Sequence, residues 1–89
     1  MTRHSVLIVD DETNILNSLS RLLRSEDLEV FTAENAHDGL EKLKNIGGAD
    51  VIISDNRLSD NLGIEFLVKV RQLFPDSIRI LITGFPDLD

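Results

Sequence analysis

Four short stretches of this chain are dominated by apolar residues, and three longer ones are apolar on one side only. Val51-Ile52-Ile53 is an uninterrupted apolar β-branched run that ends abruptly in Ser54-Asp55, the pattern of a strand covered on both faces, as in a parallel sheet. Ser5-Val6-Leu7-Ile8-Val9 repeats it and ends in Asp10-Asp11-Glu12. Residues 28–33 alternate only partly and predict a more exposed edge strand, and residues 77–83 predict a fourth strand finishing at Thr83-Gly84. Between them, Ile15, Leu16, Leu19, Leu22 and Leu23 recur at i, i+1, i+4, i+7, i+8, which is one face of a helix, with Asn14, Asn17, Ser20, Arg21 and Arg24 mostly opposite. Asp11 or Thr13 is expected to cap it. Asn35 is expected to cap a second helix with Ala36, Leu40 and Leu43 inward, ending before Gly47-Gly48. Gly39 inside that helix costs about 1 kcal/mol relative to alanine, for which close packing on the sheet offers a reason. Gly63 opens a third helix whose inner face is Phe66, Leu67, Val70, Leu73 and Phe74, closed by Pro75-Asp76.

The resulting order, βαβαβαβ, implies an α/β fold with a parallel sheet, right-handed crossovers and helices on both faces. The carboxyl ends of parallel strands share one edge, where ligands bind in such sheets. Asp10, Asp11, Asp55 and Thr83 all occupy strand ends, so three carboxylates and a hydroxyl are expected to converge there. Alone, Asp55 reads as readily as a plain strand terminator or helix cap as it does as part of a site.

Composition narrows the chemistry. The chain has 89 residues and no cysteine, which limits it to one domain and excludes disulfides, thiolate metal sites and a cysteine nucleophile. No apolar run approaches the roughly 18 residues of a membrane span, so a soluble cytoplasmic protein without membrane contact is expected. A formal net charge of -7 disfavours direct binding to nucleic acid. Clustered carboxylates either take up protons or gather a cation. With only oxygen donors at these strand ends a hard cation is implied, Mg²⁺ in particular. A carboxylate can also act as a nucleophile toward phosphorus.

Here the chain resembles the response-regulator receiver domain, the phosphoacceptor module of two-component signalling. Val9-Asp10-Asp11 is similar to that family's acidic pair after the first strand, and Asp55 to its phosphoacceptor after the third. Gly63-Ile64-Glu65-Phe66-Leu67 matches the start of the third helix, and Leu81-Ile82-Thr83-Gly84 the hydroxyl residue and small neighbour after the fourth strand. The resemblance covers the whole chain, residues 1–89. It implies a flavodoxin-like, three-layer, doubly wound sheet with strand order 2-1-3-4. It implies Mg²⁺ held by Asp10, Asp11, Asp55 and the backbone carbonyl of Arg57, and Asp55 as nucleophile. Thr83 and Gly84 would bind the phosphoryl group and switch the surface. A sensor histidine kinase or phosphotransfer protein would donate that group, and an output domain in the parent chain would read the change. Such a domain takes part in its own phosphorylation but is not an enzyme. Arg57 and Phe85 flank the site at positions that tune phosphate loss in the family. Residues 79–85 loosely resemble receivers attached to transcription-activating ATPases or cyclic-dinucleotide phosphodiesterases.

The departures are also informative. Leu58-Ser59 stands where the family has Met-Pro, which keeps an apolar contact but should loosen the loop. The family's last helix, strand and helix are absent, and with them the lysine that pairs with the phosphoryl group. Lys42, Lys44 and Lys69 fall on predicted helices and cannot replace it. An incomplete receiver is therefore expected, with an exposed fourth strand and a half-bare first helix that either invite a homodimer or swapped association or mark these residues as a piece of a longer chain. Two alternatives stand beside the phosphoacceptor: a phosphorylation-independent docking or dimerisation receiver, and a small Mg²⁺-dependent phosphatase of the aspartyl-phosphate type. Adjacent acids in place of DxD argue against the phosphatase.

Overall fold

The computed structural model describes residues 4–83. The elements are β1 (Ser5–Val9), α1 (Thr13–Arg24), β2 (Glu29–Ala33), α2 (Ala36–Ile46), β3 (Val51–Asp55), α3 (Gly63–Leu73) and β4 (Ile78–Ile82). The four strands form one parallel sheet in the order β2-β1-β3-β4, the expected flavodoxin-like arrangement. Alternate residues of each strand face opposite layers. Leu7, Val9, Ala33 and Ile52 pack with Leu43, Phe66, Leu67 and Val70 of α2 and α3, whereas Val6, Ile8 and Val30 pack with Leu16 of α1 on the other side. The strands pair in the register Val9↔Ser54 and Asp55↔Ile82, so the chain leaves β1, β3 and β4 at nearly one level.

α2 shows its expected ends. The Asn35 side chain accepts from the Asp38 backbone N–H at 2.8 Å. Gly47 closes the helix in the left-handed region at φ 81°, where a Cβ is costly. Gly39 sits where an added Cβ would lie 3.1 Å from both Val9 and Phe66, so close packing is the reason a helix-weakening residue stands there.

α1 departs from expectation in three ways. Glu12, not Asp11 or Thr13, occupies its N-cap position, and no side chain bonds there. Ser20, assigned to the solvent face, is buried at 4 % exposure with an unpartnered hydroxyl. Ile15 and Leu22, assigned to the core face, are exposed, Leu22 at 60 %. One cause accounts for the second and third departures. α1 lies over β1 and β2, which turns the Asn17-Ser20-Arg21-Arg24 flank toward β2 and leaves the Ile15/Leu22 flank above uncovered sheet. Along β4, Ile78, Ile80 and Ile82 are likewise exposed, on the α1 side of the sheet by their register with Val51, Ile53 and Asp55. Leu73, expected inside, is exposed at the end of α3.

Candidate functional site

β1 delivers Asp10 to the carboxyl edge. Its N–H donates to the Ala33 carbonyl at 3.1 Å, continuing the ladder one step past the strand. Its Oδ1 then accepts from the Glu12 N–H at 2.9 Å, which bends the chain into α1 and leaves Asp11 outside, exposed. β3 delivers Asp55 beside them. Its Oδ1 accepts from the Asn56 N–H at 2.9 Å, and the same N–H donates to the Ile82 carbonyl. One carboxylate oxygen from each of Asp10, Asp11 and Asp55 lies within 4.8 Å of the others. The three acids expected to converge do so, although 44 positions separate Asp11 from Asp55.

Asp10 is 7 % exposed. Burial pushes its carboxyl above the usual carboxylate range; the Glu12 N–H opposes the shift, and the charges of Asp55, Asp11 and Glu12 add to it. Among the described residues, no lysine or arginine pairs with any of the three acids. The donor set is all oxygen, partly buried and electrostatically unbalanced, which fits a hard divalent cation and not a soft one.

The loop from Asp55 to α3 frames the site. Gly63 N–H donates to the Asn56 carbonyl at 2.7 Å. A Cβ on Gly63 would overlap the Asp55 carbonyl oxygen, so only glycine lets α3 start this close to the strand end. Arg57 forms a bridge with Leu62, which fixes the backbone that carries the expected carbonyl ligand. Leu58 is buried in the α2/α3 core, keeping the expected apolar contact. The Leu58 N–H donates to the Asn61 carbonyl at 2.9 Å, closing the turn that carries Ser59. Thr83 is exposed, one residue beyond Ile82, which pairs with Asp55. Gly84 and Phe85 lie outside the described residues. A separate cleft of about 390 Å³ between Gly48, Asp50, Phe74 and Ser77 lies at the opposite, amino edge of the sheet and holds none of the three acids.

Asp60, in the loop that follows β3, is structural. Its carboxylate accepts from the N–H groups of Ala36 at 2.8 Å and His37 at 3.0 Å. With Asn35 on Asp38, the first three N–H groups of α2 are all satisfied. Burial alone would raise the Asp60 carboxyl, but the His37 and Ala36 N–H groups together hold it below the usual range. The stability this carboxylate gives is therefore complete above its unfolded value of 3.8 and is lost as pH falls through the lower folded value. Asp60→Asn can accept only one of the two bonds. It is expected to cost about 1–2 kcal/mol at neutral pH, with the gap from the native chain closing in acid. Urea denaturation across pH 2–7 (about the range in which the group titrates) checks this; a constant gap would refute it.

A model of the response regulator receiver domain matches residues 6–89. The chain belongs to this family. The hydrogenase transcriptional regulatory protein HoxA of Bradyrhizobium diazoefficiens is 40% identical over 93% of this receiver and 17% of its own length. The DNA-binding transcriptional regulator NtrC of Proteus hauseri is 33% identical over 100% of it and 19% of its own length. The receiver thus spans under a fifth of these two regulators. Among solved structures, a CheY-like receiver domain protein from Methanospirillum hungatei superposes with a TM-score of 0.89 at 36% identity, covering 98% of this chain and 69% of that one. The response regulator TrrA of Thermotoga maritima, in complex with Mg²⁺-BeF, gives a TM-score of 0.85 at 34% identity, covering 96% and 76%. Receivers are signalling domains of two-component systems, and this receiver's relatives include transcriptional regulators. No helix among the described residues is long and apolar enough to cross a membrane.

Proposed function

We propose that this receiver takes a phosphoryl group onto Asp55 from a phosphohistidine of a sensor histidine kinase or phosphotransfer protein, in the cytoplasm, and passes the change to an output domain of its parent chain. The observation that carries this reading is the convergence of the Asp10, Asp11 and Asp55 carboxylates at the carboxyl edge with no cationic side chain to balance them. Asp10, Asp11, Asp55 and the Arg57 carbonyl would hold Mg²⁺. When bound, Mg²⁺ supplies charge neutralisation to the oxygens of the transferring group.

The remaining work falls to the chain. Asp55 presents a carboxylate oxygen to phosphorus; the new O–P bond forms as the donor N–P bond breaks, and the leaving imidazole keeps the electron pair and takes up a proton. The Asn56 N–H holds the other Asp55 oxygen and fixes the carboxylate plane. Asp10 and Asp11 position the site's charge. Thr83, with Gly84 after it in sequence, would donate its hydroxyl to the acquired phosphoryl oxygens, and its movement toward them would bias the neighbouring surface. Incubation with Mg²⁺ and a small acyl phosphate should add one phosphoryl group to the native chain and none to Asp55→Asn, read by intact mass. Equal labelling of both, or of neither, would sink the assignment.

A second reading, a docking receiver that works without phosphorylation, draws on the exposed Ile78, Ile80 and Ile82 along the β4 edge and the bare Ile15 and Leu22 of α1. It expects homodimers through those surfaces. Sedimentation equilibrium of the native chain beside Ile80→Lys decides it, since a monomer at all concentrations excludes that assembly.

A further inference from the structure

The flank of α1 that turns toward β2 is polar where a helix against a sheet is ordinarily apolar. Asn17, Ser20, Arg21 and Arg24 follow one another at i, i+3, i+4 and i+7, and with Thr32 of β2 they line a groove of about 420 Å³. Every one of these side chains can donate a hydrogen bond, and no carboxylate lines the groove. α1 contains no acidic residue at all, in a chain with 16 acids and 9 basic residues. Neither arginine has an ion-pair partner among the described residues. Arg24 is drawn over the sheet edge by a long hydrogen bond to the Val30 carbonyl, 3.4 Å, which leaves its other donors open. At the floor, the Ser20 hydroxyl is buried and unpartnered. A buried hydroxyl without a partner carries a desolvation cost, and here it sits in the wall of a donor-rich groove.

We infer that the α1/β2 groove is an oxyanion site that takes a phosphate group, free or as the terminal group of a small phosphorylated molecule. Paired guanidinium groups match tetrahedral phosphate oxygens through forked N–H donors, and Asn17, Ser20 and Thr32 add neutral donors on the remaining sides. The groove lies on the α1 layer over the far edge strand and none of Asp10, Asp11 and Asp55 lines it, so a phosphate held there leaves the Asp55 position free. Without a bound cation the acid cluster repels phosphate, and the two sites can be addressed separately.

The test is a titration of the ¹⁵N-labelled chain with inorganic phosphate and, separately, pyrophosphate, in the absence of Mg²⁺ and against sodium chloride of equal ionic strength. The expected result is a saturable shift of the Asn17, Ser20, Thr32 and Arg24 signals that chloride does not reproduce. Arg21→Gln/Arg24→Gln should weaken binding about tenfold or more while keeping the native spectrum elsewhere. Ser20→Ala separates ligation from packing. A donor to the ligand lost there weakens phosphate binding several-fold, whereas a merely misplaced hydroxyl leaves binding unchanged and overturns its part in the site. Tighter binding of pyrophosphate than phosphate assigns a terminal group of a larger molecule, and equal binding assigns free phosphate. Shifts that follow ionic strength alone, or that spread over Arg57, Arg71 and Lys69 alike, overturn the proposal.

Discussion

Gly63→Ala is expected to unfold a large share of the molecules or to displace the start of α3, because its Cβ would overlap the Asp55 carbonyl oxygen. The Leu81 methyl, 2.9 Å from the same position, could rotate away, but the main-chain carbonyl of Asp55, which accepts from the Ser54 hydroxyl at 2.9 Å, cannot. Overpacking against side chains costs about 1–3 kcal/mol, and the rigid neighbour puts this case at or above the upper end. A chain of this size has total stability of about 4–13 kcal/mol, so urea denaturation should show a plainly lowered midpoint. The surviving folded fraction should accept a phosphoryl group more slowly, since the shift acts on the main chain of Asp55 itself. Gly47→Ala provides the contrast. Nothing lies within 4 Å there, and only the positive φ of 81° is at stake, a cost of about 1 kcal/mol with no effect on phosphoryl transfer. If Gly63→Ala and Gly47→Ala behave alike, the close approach of α3 to Asp55 is refuted.

Asp10→Asn is expected to make the metal-free chain more stable and deaf to Mg²⁺. The folded-state carboxyl of Asp10 sits above its unfolded value of 3.8, so the fold favours the protonated form. Stability is lost as pH rises from the unfolded value through the folded one, and at neutral pH the full cost of a buried, crowded carboxylate remains. Asparagine keeps the Oδ1 acceptor for the Glu12 N–H and removes that charge. In the native chain, Mg²⁺ at about 100 times its Kd should stabilise by about 2.7 kcal/mol, which raises the melting temperature of a domain this size by about 10–20 °C. Thermal melts with and without magnesium chloride, against sodium chloride of matched ionic strength, measure both effects. An equal rise in native and Asp10→Asn would remove Asp10 from the metal site.

Much of this molecule is written in local patterns. Val51 to Asp55 and Ser5 to Asp10 announce buried strands ending in acids, and the leucine spacing announces α1, because each depends on periodicity within one element. Alternating strands and helices put every strand's carboxyl end on one edge of a parallel sheet, which is why the sequence alone brings Asp10, Asp11 and Asp55 together, whereas the strand order is implied only by the family resemblance. What stayed hidden depends on where one element lands upon another. Asp60 caps α2 from 24 positions away, and no pattern near Asp60 or near Ala36 encodes the partner. Ser20 is buried and Leu22 bare because α1 lies toward β2, a translation that leaves its helical period unchanged. Glu12 holds the cap position of α1 because the Asp10 side chain takes the Glu12 N–H and sets the turn.

The clasp of Asp60 on the first turn of α2 also makes that turn a lever. The loop that leaves Asp55 cannot swing outward without pulling its carboxylate from Ala36 and His37, and the freed end of α2 would then fray from its tip. A disturbance that begins at the acids would thus be felt one helix away, at the two N–H groups that Asp60 holds.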